Sequence, residues 1–264
     1  MKLATISPAE ILQLSMEPPN LLMESFNQTT PGSLGGDCTL VVMAKAPKPG
    51  AVKTRLAQSL PPTAVVELYR CLLDDTMALA TSLGDVHVAI MCPASDVEEL
   101  SRAVGDLIPI VPQSGDGLAA GLTSVFAHFA AAGRRRIVAF NSDSPHLPAS
   151  VLQSAFQALA QSDVVVGPTH DGGYYLVGAT ASHPGLFAGD GLGTTNAYDA
   201  LLGRVRALGL SVSFTDPFYD IDVAEDLGRL AGELQSVPAR APRTAQWLME
   251  WRKAMPPEQR GGDR

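Results

Sequence analysis

Short apolar, β-branched runs alternate with helical patterns along residues 37–235 of this 264-residue chain, and this alternation limits the fold more than any other feature. The strand-like runs are Leu40–Ala44, Val86–Met91, Ile108–Val111, Ile137–Phe140, Val164–Val166, Tyr174–Val177 and Val212–Phe214. Apolar residues at helical spacing fill most of the intervals between them. Strands and helices in turn predict an α/β domain in which helices cover both faces of a mainly parallel sheet.

The charge and the cysteine content limit the classes of binding partner and the cellular compartment that this chain fits. The formal net charge of −8 argues against nucleic acid as the principal partner, since a protein that binds a duplex needs a basic face. Cys38, Cys71 and Cys92 lack metal-ligand spacing, which favours free thiols in a reducing compartment. No apolar run approaches the roughly 20 residues that span a bilayer, and no signal peptide is recognised. We therefore expect a cytoplasmic protein without a membrane partner.

The two ends of the chain differ in composition from the middle. Residues 1–36 are predicted to form a partly disordered extension, and residues 236–264 are predicted to hold a helix followed by a disordered tail. Trp247 and Trp251 are four residues apart and share one face of that helix. We expect this face to pack on the core, and a homodimer built on it stays open as the alternative.

A basic loop follows the first predicted strand. It carries four cations within eleven residues, namely Lys45, Lys48, Lys53 and Arg55. The Pro47–Gly50 turn ends the strand, and the pattern from Leu56 onward predicts a helix. Strand-to-helix loops bind phosphates in α/β folds because their N–H groups are unpaired, and Lys and Arg add positive charge. We predict an anion site here, with a solvated basic loop as the alternative.

Acidic residues follow two later strands. Asp143 comes after Ile137–Phe140, and Asp220 and Asp222 come after Val212–Phe214. Because ligands bind at the carboxyl ends of parallel strands, we expect these residues to meet the basic loop. Asp143 is predicted to hold Mg²⁺ or Mn²⁺, with Asp222, ahead of Asp220, as the second ligand. A helix cap is the alternative for Asp143 and, with more support from the pattern, for Asp222.

A glycine-rich loop joins the fifth and sixth predicted strands. Gly172 and Gly173 allow the backbone to approach a ligand, and Asp171 is suited to accept hydrogen bonds from hydroxyl groups of a sugar or an acceptor. A tight Asp-Gly turn is the alternative. No catalytic triad, zinc spacing, GxGxxG or Walker loop is present, so hydrolases, zinc enzymes, dehydrogenases and P-loop kinases have no support.

Four motifs in this order resemble the bacterial glycosyltransferase-A-like family formerly described as a domain of unknown function, within the nucleotide-diphospho-sugar transferase superfamily. They are AKAPKPGAVKTRL (44–56), SDSPHLP (142–148), GPTHDGGYYLVG (167–178) and DIDVAEDL (220–227). The resemblance covers about residues 39–232. It implies a single three-layer α/β/α Rossmann-like domain, the glycosyltransferase-A fold, with a mixed, mainly parallel sheet.

The resemblance also implies roles for individual residues. Nucleotide binding is expected at Ala44, Lys45, Pro49, Gly50, Lys53, Arg55 and Ser142. The metal ligands are expected to be Asp143 and Asp222, and the catalytic residues Lys53, Asp143 and Asp171. The sugar or acceptor is expected at Asp171, Gly172, Gly173 and Thr194. The chain departs from the family pattern at His146, where an aspartate is usual, and before Gly193-Thr194, where a tryptophan is often found.

Three functions are compatible with this pattern. The first is metal-dependent glycosyl transfer from a nucleotide-diphospho-sugar to a small-molecule acceptor. The basic loop is also similar to that of phospholactate guanylyltransferases, so the second is transfer of a nucleotidyl group from an NTP to a phosphorylated small molecule, with release of pyrophosphate. The third is a nucleotide-binding protein without turnover, since a fold does not fix a function.

Overall fold

The computed structural model describes residues 36–254 except residues 106, 190 and 195. The predicted extension, apart from Gly36, and the predicted tail after residue 254 lie outside these residues. Seven strands form one sheet in the order β3-β2-β1-β4-β6-β5-β7. They are β1 (Cys38–Met43), β2 (His87–Cys92), β3 (Ile110–Pro112), β4 (Arg136–Asn141), β5 (Val164–Pro168), β6 (Tyr174–Ala179) and β7 (Val212–Phe214).

Seven α-helices lie within the described residues. They are α1 (Pro62–Thr81), α2 (Val97–Val104), α3 (Gly117–Ala131), α4 (Ala149–Ala158), α5 (Ala197–Ala207), α6 (Ala224–Ser236) and α7 (Pro242–Ala254). The helix predicted from Leu56 onward begins later than expected, at Pro62. Residues Leu56–Gln58 form only a 3₁₀ turn, because Pro61 and Pro62 are tolerated at the start of a helix but not in its interior.

Alternation along the central strands divides the core into two layers. In β1, Leu40 and Val42 pack in a cluster that includes Leu73 of α1 and Phe156 of α4. Val41 points to the other face, in a cluster that includes α3 and α5. Because successive side chains of a strand face opposite sides, a strand covered on both sides is apolar throughout. The predicted three-layer fold with a mixed, mainly parallel sheet is confirmed.

Strand β6 is antiparallel to both of its neighbours, β4 and β5, whereas the other pairings in the sheet are parallel. A Cβ atom at Gly178, in the middle of β6, would lie 2.8 Å from Val165 and 3.0 Å from Val138, so only glycine fits between these strands. The reversal places the β5–β6 loop at the same edge of the sheet as the carboxyl ends of β1 and β4. The loops that the motifs occupy therefore share one edge.

Helices α6 and α7 form a third apolar cluster with α1. It includes Leu68 and Leu72 of α1, Leu230 of α6 and Leu248 of α7. The rings of Trp247 and Trp251 stack with their centroids 5.3 Å apart and pack against this cluster, as predicted. Across the part of the chain described here, no helix combines the length and apolar character needed to cross a membrane.

Candidate active site

A cleft of about 650 Å³ lies at the carboxyl edge of the sheet. Its walls are the basic loop, the loops after β4 and β7, and the segment between β3 and α3. The predicted site residues that line it are Ala44, Lys45, Lys53, Arg55, Ser142, Asp143 and Asp222. Residues more than 150 positions apart in sequence thus meet in one cavity, as expected from the ends of parallel strands.

Lys53 and Asp143 form an ion pair across the cleft. The Lys53 Nζ lies 2.9 Å from Asp143 Oδ2, and the Lys53 side chain is only 4% exposed. The Lys53 backbone has a φ angle of +47°, a left-handed conformation that residues other than glycine and asparagine seldom adopt. Such strain clusters at ligand-binding sites, where the surrounding structure holds it in place. The basic loop is shaped to turn this one ammonium group inward.

Arg55 and Asp222 form a second ion pair, with 2.6 Å between Arg55 Nη1 and Asp222 Oδ2. The helix-cap alternative is wrong for Asp222, because the Asp226 carboxylate accepts the backbone N–H groups of Asp222 and Val223 at the start of α6. It is also wrong for Asp143, since α4 begins at Ala149 without a side-chain cap. Both carboxylates are therefore directed into the cleft.

Tyr69 of α1 ties the basic loop to the loop after β4. Its buried hydroxyl accepts a hydrogen bond from the Lys45 N–H at 3.1 Å and lies 3.1 Å from Ser142 Oγ. Burial raises the pKa of Tyr69 to about 12. The two acidic loops are joined by hydrogen bonds from Ile221 N to the Asp143 carbonyl and from Ser144 Oγ to the Tyr219 carbonyl.

Lys48 is turned away from the cleft. Its ammonium lies 3.0 Å from Asp96 and 3.4 Å from Glu99, and Asp96 also accepts the Ala46 N–H. The hydrogen bond to Asp96 raises the pKa of Lys48. Three of the four cations in the basic loop consequently line the cleft, and the fourth helps to anchor the loop.

Six predicted site residues do not line the cleft. Pro49 and Gly50 lie on the exposed turn of the basic loop, and Thr194 donates a hydrogen bond to the Gly191 carbonyl in the segment before α5. Asp171, Gly172 and Gly173 form the β5–β6 turn, where Asp171 Oδ1 accepts hydrogen bonds from Thr169 Oγ1 and Gly173 N. This internal bonding is that of a tight Asx turn. Their roles in binding stay predictions.

Two parts of the cleft were underestimated from sequence. Asp220 lines the cavity, and burial raises the pKa of its carboxyl to about 6; Lys53 opposes this shift, whereas Asp143 reinforces it. The Asp-Ile-Asp pattern was the available signal, because alternate residues of an extended segment point to the same side. Gln113, Asp116 and Gly117 also line the cleft, and the glycine-rich run between β3 and α3 could have indicated them.

Comparisons with known proteins show what this chain is similar to. Residues 76–194 match DUF2064, a family described as uncharacterized and conserved in bacteria. A proposed nucleotide-diphospho-sugar transferase from Desulfovibrio desulfuricans G20 has a similar structure, with a TM-score of 0.75 and 28% sequence identity over 81% of this chain and 94% of that one. No curated protein matches the sequence. The predicted family resemblance is confirmed, and the predicted transferase class agrees with it.

Two further structures are similar in fold alone. One is a nucleotidyl transferase from Methanothermobacter thermautotrophicus, with a TM-score of 0.52, 18% identity, and coverage of 76% of this chain and 99% of that one. The other is 4-diphosphocytidyl-2C-methyl-D-erythritol synthase from Anaerococcus prevotii DSM 20548, with a TM-score of 0.51, 11% identity, and coverage of 76% and 97%.

His146 occupies the position at which the family resemblance leads one to expect an aspartate. Its side chain is fully buried, with ring centroids 4.8 Å from Phe218 and 4.5 Å from Tyr219. Burial, together with the positive charges of Arg240 and Arg229, lowers the pKa of His146 to about 3. The imidazole is therefore neutral and packed in an aromatic cluster, and the acidic contribution of this loop to the cleft comes from Asp143.

The donor set of the cleft fits a hard divalent ion shared with a substrate. The described residues contain no group of three or more His, Cys, Asp or Glu side chains arranged to hold a metal by themselves. Mg²⁺ does not need such a cage, because it is usually bound by one or two carboxylates, waters and substrate phosphates. Asp143 and Asp222, with Asp220 beside them, meet that requirement.

Proposed function

We propose that the chain is a transferase that acts on a phosphate-containing nucleotide substrate, with Lys53 and Arg55 binding the phosphates and Asp143 and Asp222 holding a divalent metal. Two ion pairs across one cleft carry this proposal, Lys53 with Asp143 and Arg55 with Asp222. The basic loop supplies both cations, and the loops after β4 and β7 supply the carboxylates. A phosphate and a metal ion carry the charges that such groups bind.

Within this class we propose glycosyl transfer from a nucleotide-diphospho-sugar to a small-molecule acceptor. The similarity to the Desulfovibrio desulfuricans protein supports this choice. An acceptor hydroxyl attacks the anomeric carbon and releases its proton to water, while the bond from that carbon to the nucleoside diphosphate breaks. Lys53 and Arg55 then stabilise the negative charge that develops on the leaving diphosphate. A bound Mg²⁺ or Mn²⁺ would supply further neutralisation of that charge.

One observation favours nucleotidyl transfer as the second candidate. Lys45 lines the cleft together with Lys53 and Arg55, and three cations suit a triphosphate better than a diphosphate. In this reaction an acceptor phosphate attacks the α-phosphorus of an NTP, and pyrophosphate leaves. Lys53 and Arg55 would then hold the departing pyrophosphate.

Thermal unfolding of the full chain with a panel of ligands separates these candidates. The panel contains NTPs, NDPs and nucleotide sugars, each with and without Mg²⁺ or Mn²⁺; a ligand at 100 times its Kd adds about 2.7 kcal/mol of stability. Metal-dependent stabilisation by one nucleotide sugar beyond its parent NDP and NTP supports glycosyl transfer. Stabilisation by an NTP alone supports nucleotidyl transfer. If no ligand in the panel gives a metal-dependent shift, the proposal is wrong.

Turnover of the identified substrate tests the assigned residues. We expect Asp143→Asn to lower kcat by at least about 100-fold, because the variant keeps the size of the side chain but loses the charge that holds the metal. Glu225→Gln, at an exposed position in the first turn of α6, is the matched control and should retain full activity. Unchanged turnover of Asp143→Asn at saturating Mg²⁺ excludes the assignment. Metal-dependent binding without turnover of any donor would identify a binding protein.

A further inference from the structure

We infer that the cations and carboxylates of the cleft exchange partners when the site fills, so that nucleotide phosphates and a divalent metal bind cooperatively and each binds weakly without the other. The inference rests on the proposed function and extends it. It concerns the two ion pairs that Lys53 and Arg55 form with Asp143 and Asp222, because these are the groups that the proposed function assigns to the phosphates and the metal.

The Lys53–Asp143 pair is the more buried of the two ion pairs. The ammonium has almost no contact with solvent, since the Lys53 side chain is 4% exposed, and Asp143 Oδ2 lies 2.9 Å away. A buried charge that loses its partner is strongly unfavourable. A metal ion that took Asp143 from Lys53 would leave the ammonium beside a dication without the carboxylate that it contacts at 2.9 Å. A metal alone is therefore opposed by Lys53.

The Arg55–Asp222 pair repeats this arrangement at the mouth of the cleft. Arg55 is 60% exposed and Asp222 35% exposed, with 2.6 Å between the paired atoms. Both pairs join the basic loop to the acidic loops, so phosphates that engage the two cations must separate both pairs. Without a metal, phosphates would then face Asp143, Asp220 and Asp222, three carboxylates in the same cavity. Phosphates alone are therefore opposed by the carboxylates.

When both ligands enter, each of the four groups in the two ion pairs gains a new partner of opposite sign. The phosphates take Lys53 and Arg55, and the metal takes Asp143 and Asp222. The free energy of this coupling is reciprocal, so the metal must strengthen phosphate binding by the same factor as phosphate strengthens metal binding. Mg²⁺ also binds phosphates in solution, so an experiment with both ligands mixes that binding with the effect of the protein. Each ligand is therefore tested alone.

The first experiment measures Mn²⁺ binding to the full chain without nucleotide, from the loss of the electron paramagnetic resonance signal of free Mn²⁺. We expect Lys53→Met to bind Mn²⁺ at least about fivefold more tightly than the wild type, which is the low end of usual coupling between sites. Arg102→Met is the control, since it removes one positive charge from an exposed side chain that pairs with Glu98 on α2, outside the cleft. It should leave Mn²⁺ affinity unchanged. Arg55→Met, at an exposed position, should repeat the effect of Lys53→Met in a smaller degree.

The converse experiment measures binding of inorganic pyrophosphate in the presence of EDTA by titration calorimetry. Asp143→Asn and Asp222→Asn should bind metal-free pyrophosphate at least about fivefold more tightly than the wild type. Glu225→Gln makes the same change of charge outside the cleft and should have no effect. If wild type binds the metal and pyrophosphate together but these variants bind each ligand alone no better than wild type, partner exchange is wrong and the proposed function stands. If wild type binds neither, both are wrong.

Discussion

At the scale of single residues, Tyr69 carries the connection between the two halves of the cleft. Tyr69→Phe keeps the buried ring but removes the hydroxyl that bonds Lys45 N and Ser142 Oγ. Since a hydrogen bond contributes about 1 kcal/mol, we expect the affinity for Mg²⁺-pyrophosphate to fall about fivefold, with a small change in Tm. Titration calorimetry and thermal unfolding measure the two effects. Ser162→Ala, which removes a hydroxyl pair at the opposite edge of the sheet, should not change the affinity.

The site residues that could be identified from sequence are charged residues that lie in the loop after a predicted strand. Lys53, Arg55 and Asp143 follow apolar strands, and the carboxyl ends of such strands meet at one edge. Tyr69 could not be identified in this way, because it lies within the apolar pattern of a helix and its hydroxyl meets residues 24 and 73 positions away. Its role depends on how α1 packs, which no local pattern records.

At the scale of elements, the docking of α7 depends on a carboxylate from α1. Asp75 accepts the backbone N–H groups of Arg243 and Thr244, the first turn of α7, and so caps that helix from another element. We expect Asp75→Ala to lower the free energy of unfolding by about 1–2 kcal/mol, the usual range for a lost cap. Both tryptophans of the chain lie in α7, so their fluorescence reports undocking directly.

Asp74→Ala is the control for this prediction. Asp74 pairs with the exposed guanidinium of Arg243 at 3.1 Å, next to Asp75 in sequence. Exposed ion pairs contribute little, so this variant should change stability by less than about 1 kcal/mol. Equal effects of the two substitutions would show that α7 docks without the cap.

The elements themselves were largely predictable, because burial on both faces makes each strand a continuous apolar run and exposure on one face gives each helix its period. The composition of a run, however, does not give the direction of its strand. The run Tyr174–Ala179 has the composition of a parallel strand, yet it runs antiparallel to β4 and β5 because a five-residue turn joins it to β5. A parallel connection needs a crossover of a dozen or more residues, so loop length held the missing information.

At the scale of the whole molecule, the overall charge is negative, whereas the cleft contains several cations. The chain has a net charge of −8, yet cations and carboxylates of the cleft alternate across a cavity that opens at one edge of the sheet. An acidic surface repels a polyanion such as RNA, whereas a small phosphate ligand meets the local field of Lys45, Lys53 and Arg55. The overall charge and the site are therefore compatible with a small-molecule substrate.

The stability of the whole fold should depend on pH through His146. The folded pKa of about 3 lies below the ordinary value of 6.5, so the unfolded chain binds a proton first as the pH falls. Stability from this group is present above about pH 6.5 and is lost toward pH 3, by up to about 1.4 kcal/mol per pH unit. Its two ring nitrogens have no hydrogen-bond partner among the described residues, so no contact compensates the proton.

We therefore expect His146→Phe to flatten the acid side of the stability profile. The free energy of urea unfolding, followed by circular dichroism at pH 7, 6, 5 and 4, should fall more steeply for the wild type than for this variant. Contributions from carboxyl groups such as Asp220, which titrate in both proteins, cancel in the difference. His170→Phe, at an exposed loop position, should follow the wild-type slope. Parallel profiles for wild type and His146→Phe would mean that the unfolded and folded chains bind this proton equally, and that the aromatic cluster opens to water without unfolding the domain.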